Sequence, residues 1–369
     1  MIAAPSAPRA AWTARLNAVA FIDPAKALRL LDAVGPERLA EAGEAEWAAG
    51  AGIEISTAAR WRREARGFDL EGELRRVEAL GARLLVRGEA GYPELLDVLP
   101  DAPLALYVWG RLDDLPSAAV VGARAPTNYG RRLARRLAGD LARRRVAVVS
   151  GLARGIDAEA HDAALEAGGT TWAVLGSGLG EIYPPDNRDL ARRIAAEGGC
   201  VLSEFPLAAA PFKGSFPRRN RVVAGLSWVT IVVEGRSDSG ALITARNAAE
   251  YGREVLAVPG PADSPLSEAP HRLLREGARL VASAQDVVAA FPPGFARRPF
   301  TPRRAAAASA EEGEEARILR HLGAETLSLD ELSRLSGLDM EHLSLIMFGL
   351  EIKELVSSLP GQRYAKKTL

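Results

Sequence analysis

Seven short apolar runs between residues 118 and 281 constrain this chain more than any other feature: "AAVVGAR", "VAVVSG", "TWAVLGSG", "CVLSEF", "WVTIVVEG", "EVLAVPG" and "ARLV". None alternates with polar residues, so both faces of each strand must be covered. Amphipathic helical stretches separate the runs. Strands and helices in such steady succession require a parallel sheet with right-handed crossovers. The expected fold is therefore α/β, a Rossmann-like doubly wound domain over residues 84–291.

The flanking segments carry other patterns. Residues 1–83 hold Ala, Leu and Trp at helical spacing, broken by turn signals at "VGPER" and "AAGAGIEIS", and predict a small all-helical (SAM-like) domain. Residues 292–310, "PPGFARRPFTPRRAAAASA", have no apolar periodicity and read as a linker. Residues 311–369 show three helical segments, from "EEARILRHL" to "DMEHLSLIMFGLEIKELV", and then the hairpin "VSSLPGQRYAKK", the pattern of a winged helix.

The 47 basic and 47 acidic residues cancel, so any signal for a polyanion must come from where charges lie rather than from their sum. No stretch approaches a membrane span and no leader is apparent, which predicts a cytoplasmic protein with no membrane partner. Cys200 is the sole cysteine, expected in the core; it rules out an internal disulfide and a multi-cysteine metal site. No cofactor and no metal is expected.

In doubly wound sheets ligands settle at the carboxyl ends of the strands. Those ends are rich here in Gly and Ser: Gly122 before Arg124; Ser150 and Gly151, then Arg154 and Gly155; Gly176, Ser177 and Gly178; and Ser239 with Gly240. Glycine admits an anion close to backbone N–H groups, and helix N-termini add positive dipole. Tight turns explain some of these glycines, but four converging ends with two arginines favour a phosphate cradle. "VGARAPTNYGRR" lacks the dinucleotide G-x-G-x-x-G, and no phosphate-loop G-x-x-x-x-G-K-[ST] occurs.

Two basic segments refine this. From Val121 to Arg145 there are 8 arginines and one acid; Arg131, Arg132, Arg135, Arg136 and Arg143 share one helical side, opposite Leu133, Leu137 and Leu141. That stripe fits a polyanion track and a solvated helix face equally well. The second segment is "PFKGSFPRRNRVVAGL", whose Lys213 is one of 5 lysines among the basic residues and has its nearest lysine neighbours at Lys26 and Lys353. Lys213, Arg218, Arg219 and Arg221 together exceed what one nucleotide needs and suit an extended polyanion. Phe216 among them fits base stacking, or equally a loop ring tucked into the core. A lysine is a compact charge on a flexible stem, which a planar guanidinium replaces poorly in a tight loop.

In order and spacing, "VVGARAPTNYG", "VVSGLARGIDAEAH", "AVLGSGLGEIYPPDN", "SEFP", "FPRRNRVVAGLS", "VVEGRSDSGALITARNAAEYGREVLAVPG" and "HRLLREGARLV" resemble the DNA-processing protein A family (DprA/Smf), continuously from about Gly91 to Val281. The resemblance implies a non-enzymatic protein that binds single-stranded DNA, protects incoming strands in natural transformation and loads the recombinase RecA, with double-stranded DNA as a further possible ligand. It implies a DNA pocket of Arg124, the Ser150 to Gly155 turn, the Gly176 to Gly178 turn, and Lys213 with Phe216, lined or braced by Asn220 and Arg221. It also implies a homodimer, for which Leu273, Leu274 and Leu280 are the apolar candidates.

Other residues carry less. His161, four residues beyond Asp157, reads as a structural contact near the pocket, and Tyr183 and Asp186 as loop braces. Glu204 and Glu234 end strands, and the alternative function, a Rossmann-like nucleotide hydrolase or phosphoribohydrolase using the same cradle, would rely on them. Between Glu311 and Leu369, 11 acids outnumber 7 bases, so the winged helix reads as a protein-contact or regulatory element, with Arg363, Lys366 and Lys367 left to touch phosphates. No nucleophile with a base is apparent. The purified protein is therefore expected to show no DNA-stimulated nucleotide hydrolysis; turnover that co-purifies with it and vanishes in Glu204→Gln or Glu234→Gln would contradict this.

Overall fold

Every residue of the strand Ser117–Val121 is buried, because Ala118 and Val120 pack into one helical layer and Ala119 and Val121 into the other. A strand with no solvent face is apolar throughout, which is why its sequence shows no alternation. The structure, a computed structural model, describes residues 8–292, 318, 322, 327–336, 338, 340–352, 355–359 and 363–366. Met1–Pro302 and Arg303–Leu369 form two units.

In the first unit nine strands make one sheet: β1 (Ala82–Val86), β2 (Ala105–Gly110), β3 (Ser117–Val121), β4 (Ala147–Ser150), β5 (Thr171–Val174), β6 (Cys200–Ser203), β7 (Val229–Val232), β8 (Glu254–Ala257) and β9 (Arg279–Leu280), in the spatial order β1-β2-β6-β5-β4-β3-β7-β8-β9. From β3 the chain winds outward through β4, β5 and β6, returns to the other flank of β3, and winds outward again through β7, β8 and β9, with every one of these pairs parallel. The winding direction reverses between β3 and β7, which places the ligand-accepting switch point there.

One edge departs from the expected all-parallel sheet. β1 pairs antiparallel with β2, and β2 antiparallel with β6. β1 and β2 are joined by a turn-rich segment instead of an amphipathic crossover helix, so they stand outside the strand-helix rhythm that marks the other seven. Cys200, the first residue of β6, is buried and free.

Five helices precede the sheet: α1 (Pro8–Asn17), α2 (Pro24–Val34), α3 (Glu44–Ala51), α4 (Ile55–Gly67) and α5 (Leu70–Ala79). A single turn, α6 (Glu94–Asp97), follows β1, and then come α7 (Asn128–Arg143), α8 (Ile156–Glu166), α9 (Arg188–Ala196), α10 (Ser215–Gly225), α11 (Gly240–Glu250), α12 (Glu268–Arg275) and α13 (Ala284–Val288). α7, α8 and α13 cover one face of the sheet; α10, α11 and α12 cover the other. Arg131, Arg135, Arg136 and Arg143 on the arginine side of α7 are engaged within the fold. Arg131 pairs with Glu159 at 3.2 Å, Arg135 with Glu159 at 3.1 Å and with Glu166, Arg143 with Asp140 at 2.6 Å, and Arg136 donates to the Ala282 carbonyl at 2.7 Å.

The helical layer has its own core of Leu16, Leu30, Trp47 and Trp61, into which Leu104 reaches from the segment leading to β2. At the far edge of the sheet Leu273 is buried and Leu280 exposed. No helix among the described residues is long and apolar enough to cross a membrane.

In the second unit α14 (Leu329–Ser336) and α15 (Met340–Ile352) pack with a three-stranded antiparallel sheet of β10 (Leu327–Ser328), β11 (Val356–Leu359) and β12 (Arg363–Lys366), in the order β10-β12-β11. Ile318, Leu322, Leu332, Leu343, Met347, Leu350 and Val356 form its core. This is a winged helix, with the β11–β12 hairpin as the wing. Apart from Pro292, Ile318 and Leu322, the expected linker and the first of its three helices lie outside the described residues.

A buried side-chain amide joins the helical layer to the sheet. Asn17 Nδ2 donates to the Glu204 carbonyl at 2.7 Å, and Asn17 Oδ1 accepts from the Ala105 N–H at 3.0 Å. Asn17→Ala strands both backbone groups out of water, and each unsatisfied group costs about 1–3 kcal/mol. Denaturant titration of this variant is expected to show a loss of about 2 kcal/mol or more; a midpoint equal to wild type would show that the tie carries no energy.

Candidate nucleic-acid interface

A cleft of about 870 Å³ opens at the switch point. Gly122 and Arg124 after β3, Gly151 after β4, Lys213, Phe216 and Asn220 on and before α10, and Arg236, Ser239 and Gly240 between β7 and α11 line it. Two glycines are required by close approach. A Cβ on Gly151 would lie 2.5 Å from the Arg219 guanidinium carbon, and one on Gly155, whose φ is +79°, would lie 2.3 Å from the Ala123 carbonyl oxygen.

The floor is ionic and buried. Arg219 is buried and donates to the carbonyls of Gly151 and Val174, with its Nε 3.2 Å from the Asn220 side-chain oxygen. Burial pulls its pKa down to about 10, opposed by the nearby Asp157 carboxylate. Asp157 accepts from the Gly151 and Ala153 N–H groups at 3.1 and 3.3 Å, and burial raises its pKa while Arg219 opposes the shift. This carboxylate pins a turn in which Leu152 holds φ at +56° with its side chain in the core, a conformation rare for a residue with a Cβ.

His161 lies under the same region and faces the sheet. Its Nδ1 is 2.7 Å from the Thr171 hydroxyl, which itself donates to the Val148 carbonyl at 2.6 Å. The hydroxyl proton being spent, Nδ1 must be the donor, so the ring is the neutral Nδ1–H tautomer. Burial lowers its pKa to about 3.

Phe216 stands over the mouth, half-buried. The Arg124 guanidinium lies 5.7 Å from its ring centroid, and the Tyr183 ring 5.7 Å away on another side. Arg124, Lys213 and Arg236 are exposed, and among the described residues none has an ion pair. Three cations with an aromatic ring at the end of a parallel sheet can hold a phosphate chain and stack a base.

The residues expected at the site separate into three sets. Gly122, Arg124, Gly151, Lys213, Phe216, Asn220, Ser239 and Gly240 converge on the cleft. Ser150, Gly155, Gly176, Ser177 and Gly178 support its walls: Ser150 Oγ donates to the Val120 carbonyl at 2.6 Å, the Phe216 ring packs on Gly176, Ser177 is buried, and Gly178 N–H donates to Ala209 at 2.8 Å. Arg154 stands outside the lining and pairs with Asp186 at 2.7 Å.

In the third set, from the cation run, the arginines are engaged within the fold. Arg218 Nε lies 3.0 Å from buried Glu204, Arg221 pairs with the same oxygen and with the Asp101 carbonyl, and Arg219 is the floor. Of the four cations, Lys213 alone is exposed in the cleft with no partner among the described residues. Glu204 is thus occupied by arginines. Glu234 accepts from the backbone N–H and hydroxyl of Thr127, the N-cap of α7. Arg236 joins the cleft as a residue not expected there; its one signal in the sequence is its place in "EGRSDSG", directly after the strand at the switch point. Among the described residues no cluster could hold a metal ion.

The fold and the cleft together define a Rossmann-like protein with a cation-lined cleft at the switch point, in a chain that also carries a winged helix. The chain belongs to the DprA/Smf family: residues 83–292 match the model of DNA recombination-mediator protein A and residues 302–362 that of the DprA winged helix domain. It is 38% identical over 297 residues to protein Smf of Escherichia coli, covering 79% of each chain. To the DNA processing protein DprA of Streptococcus pneumoniae it is 46% identical over 202 residues, 54% of this chain and 71% of that one. The X-ray structure of the S. pneumoniae protein superposes with a TM-score of 0.66 at 35% identity, covering 75% of this chain and 96% of that one. DNA processing protein A of Helicobacter pylori, studied for its single-stranded DNA binding mode, gives 0.51 at 32% identity, covering 56% and 93%.

The His161 geometry predicts an acid sensitivity. Its folded pKa of about 3 lies below the ordinary value of about 6.5, so the unfolded chain takes up the proton first as pH falls. The stability it contributes is complete above about pH 6.5 and declines by about 1.4 kcal/mol per unit down to about pH 3. Between about pH 7 and about pH 5, wild type is expected to lose about 2 kcal/mol more than His161→Gln in urea titrations. Asp157 acts in both proteins and cancels. Parallel losses would contradict the buried neutral imidazole.

Proposed function

We propose that this protein binds single-stranded DNA through the switch-point cleft and acts as a recombination mediator without catalytic turnover, protecting incoming strands in natural transformation and loading RecA onto them. One observation carries the reading. Lys213, Arg124 and Arg236 surround a half-buried aromatic ring with no ion pair among the described residues, while all three arginines of the "PRRNR" segment are committed internally. Phosphates approach the cations, and Phe216 offers a face to a base. Family membership supports the mediator role, and the absorption of Glu204 and Glu234 into structural contacts supports a protein that binds rather than hydrolyses. A homodimer fits the sheet edge, where Leu280 on β9 is 55% exposed.

The test is salt dependence. For a single strand, the slope of log affinity against log salt becomes shallower by about 0.7 for every phosphate that the protein no longer neutralises. Lys213→Ala, at an exposed position with no partner among the described residues, is expected to show that change with unaltered melting temperature. Phe216→Ala is expected to weaken binding by about 1–3 kcal/mol with the slope nearly unchanged. Wild-type affinity and slope in both variants would place the DNA elsewhere.

A further inference from the structure

Among residues whose exposure is described, three aromatic side chains are exposed, Phe21, Tyr183 and Phe212, and all three adjoin the loop that carries Lys213. Tyr183 meets Phe216 at the cleft. Phe212 lies on the other side of Lys213, tied to the start of α10 because its carbonyl accepts from the Ser215 N–H at 3.0 Å and the Ser215 hydroxyl at 2.7 Å. Phe21, from the turn between α1 and α2, meets Phe212 edge-on with centroids 5.4 Å apart, and both rings lie over Gly214. Tyr183, Phe216, Lys213, Phe212 and Phe21 therefore run as one strip from the cleft to the helical layer.

Phe21 is 66% exposed in a left-handed backbone conformation, φ +54°, that its Cβ disfavours. The turn is held rigid: the Ala20 N–H donates to Glu64 at 3.0 Å, and the Ala20 carbonyl accepts from Arg60 at 2.9 Å. A large apolar ring is thus kept outside the core by an unfavourable backbone and two side-chain braces. The charged groups nearest in the chain or bracing the turn, Asp23, Lys26, Arg60 and Glu64, carry both signs.

We propose that Phe21 and Phe212 form a second base-stacking platform, which carries a single strand out of the switch-point cleft, past Lys213, and onto the helical layer. The inference rests on the single-strand reading of the cleft and adds to it a subsite supplied by the N-terminal helices. Stacking there is sequence-tolerant, since every base has a π face, and contributes affinity without phosphate neutralisation because the surrounding charges balance.

Strand length is the test. The full-length protein is titrated with oligo-dT on the order of 4 and on the order of 16 nucleotides, the span of single-domain site sizes. Phe21→Ala and Phe212→Ala are expected to weaken the longer strand about 5- to 150-fold, the equivalent of stacking energies of about 1–3 kcal/mol. The shorter strand and the salt slope stay unchanged. Phe21→Tyr, which keeps the ring, retains wild-type affinity at both lengths, and circular dichroism establishes that each variant is folded. Equal affinity of Phe21→Ala and wild type for the longer strand, with the Phe216→Ala loss intact, overturns this inference and leaves the cleft reading standing. A change of oligomer mass in Phe21→Ala with no length-dependent loss of DNA affinity likewise overturns it. Failure of wild type to bind either strand would overturn both readings.

Discussion

The buried guanidinium of Arg219 is the tie on which the site depends. It reaches from α10 to the carbonyls that end β4 and β5, those of Gly151 and Val174, and so fixes the helix carrying Phe216 and Asn220 against the carboxyl edge of the sheet. A charge in that position is tolerable only because Nε and Nη1 donate to protein oxygens and Asp157 lies close by. The same carboxylate holds the N–H groups of Gly151 and Ala153. One cation and one anion therefore shape the floor, the glycine turn above it and the strained Leu152. Removing either leaves the other buried and uncompensated, a loss of about 3–5 kcal/mol in comparable sites.

Charge in this protein is divided between internal pairs and an exposed remainder. Glu204 absorbs Arg218 and Arg221, Asp186 pairs with Arg154, and the carboxylates of α8 take up two arginines of α7. What is left at the cleft is a small set of exposed cations with no ion pair among the described residues. This explains how a chain of zero net charge can present a local cluster of exposed cations. The proposed single-strand path would give Lys213 a role consistent with its rarity: a flexible point charge in a tight loop, able to follow a phosphate where a guanidinium would seek a planar partner.

Much of this was legible in the sequence, for a definable reason. Burial on both faces erases polar alternation, so β3 to β9 announce themselves as apolar runs, and the close backbone approaches at Gly151 and Gly155 leave glycines at strand ends. The edge pair β1 and β2 lacked that signature because antiparallel strands need no crossover helix. The roles of the arginines were not legible either. Arg218, Arg219 and Arg221 look identical in the chain to a phosphate-binding run; only the arrival of Glu204, Gly151 and Val174 from distant elements separates them from Lys213. Phe21 was invisible for the same reason, since its neighbour Phe212 is brought to it by the fold and not by spacing.

The claim that the single strand crosses the cleft at Phe216 is tested most directly by photocrosslinking. Oligonucleotides carrying a halogenated uracil, bound to the full-length protein and irradiated, attach covalently to the aromatic side chain they stack on, and mass spectrometry of the digest locates it. The account predicts adducts at Phe216 and Tyr183 that disappear when unlabelled strand is in excess. Adducts confined to the winged helix, at Tyr364 for example, with none on Phe216 or Tyr183, would contradict it.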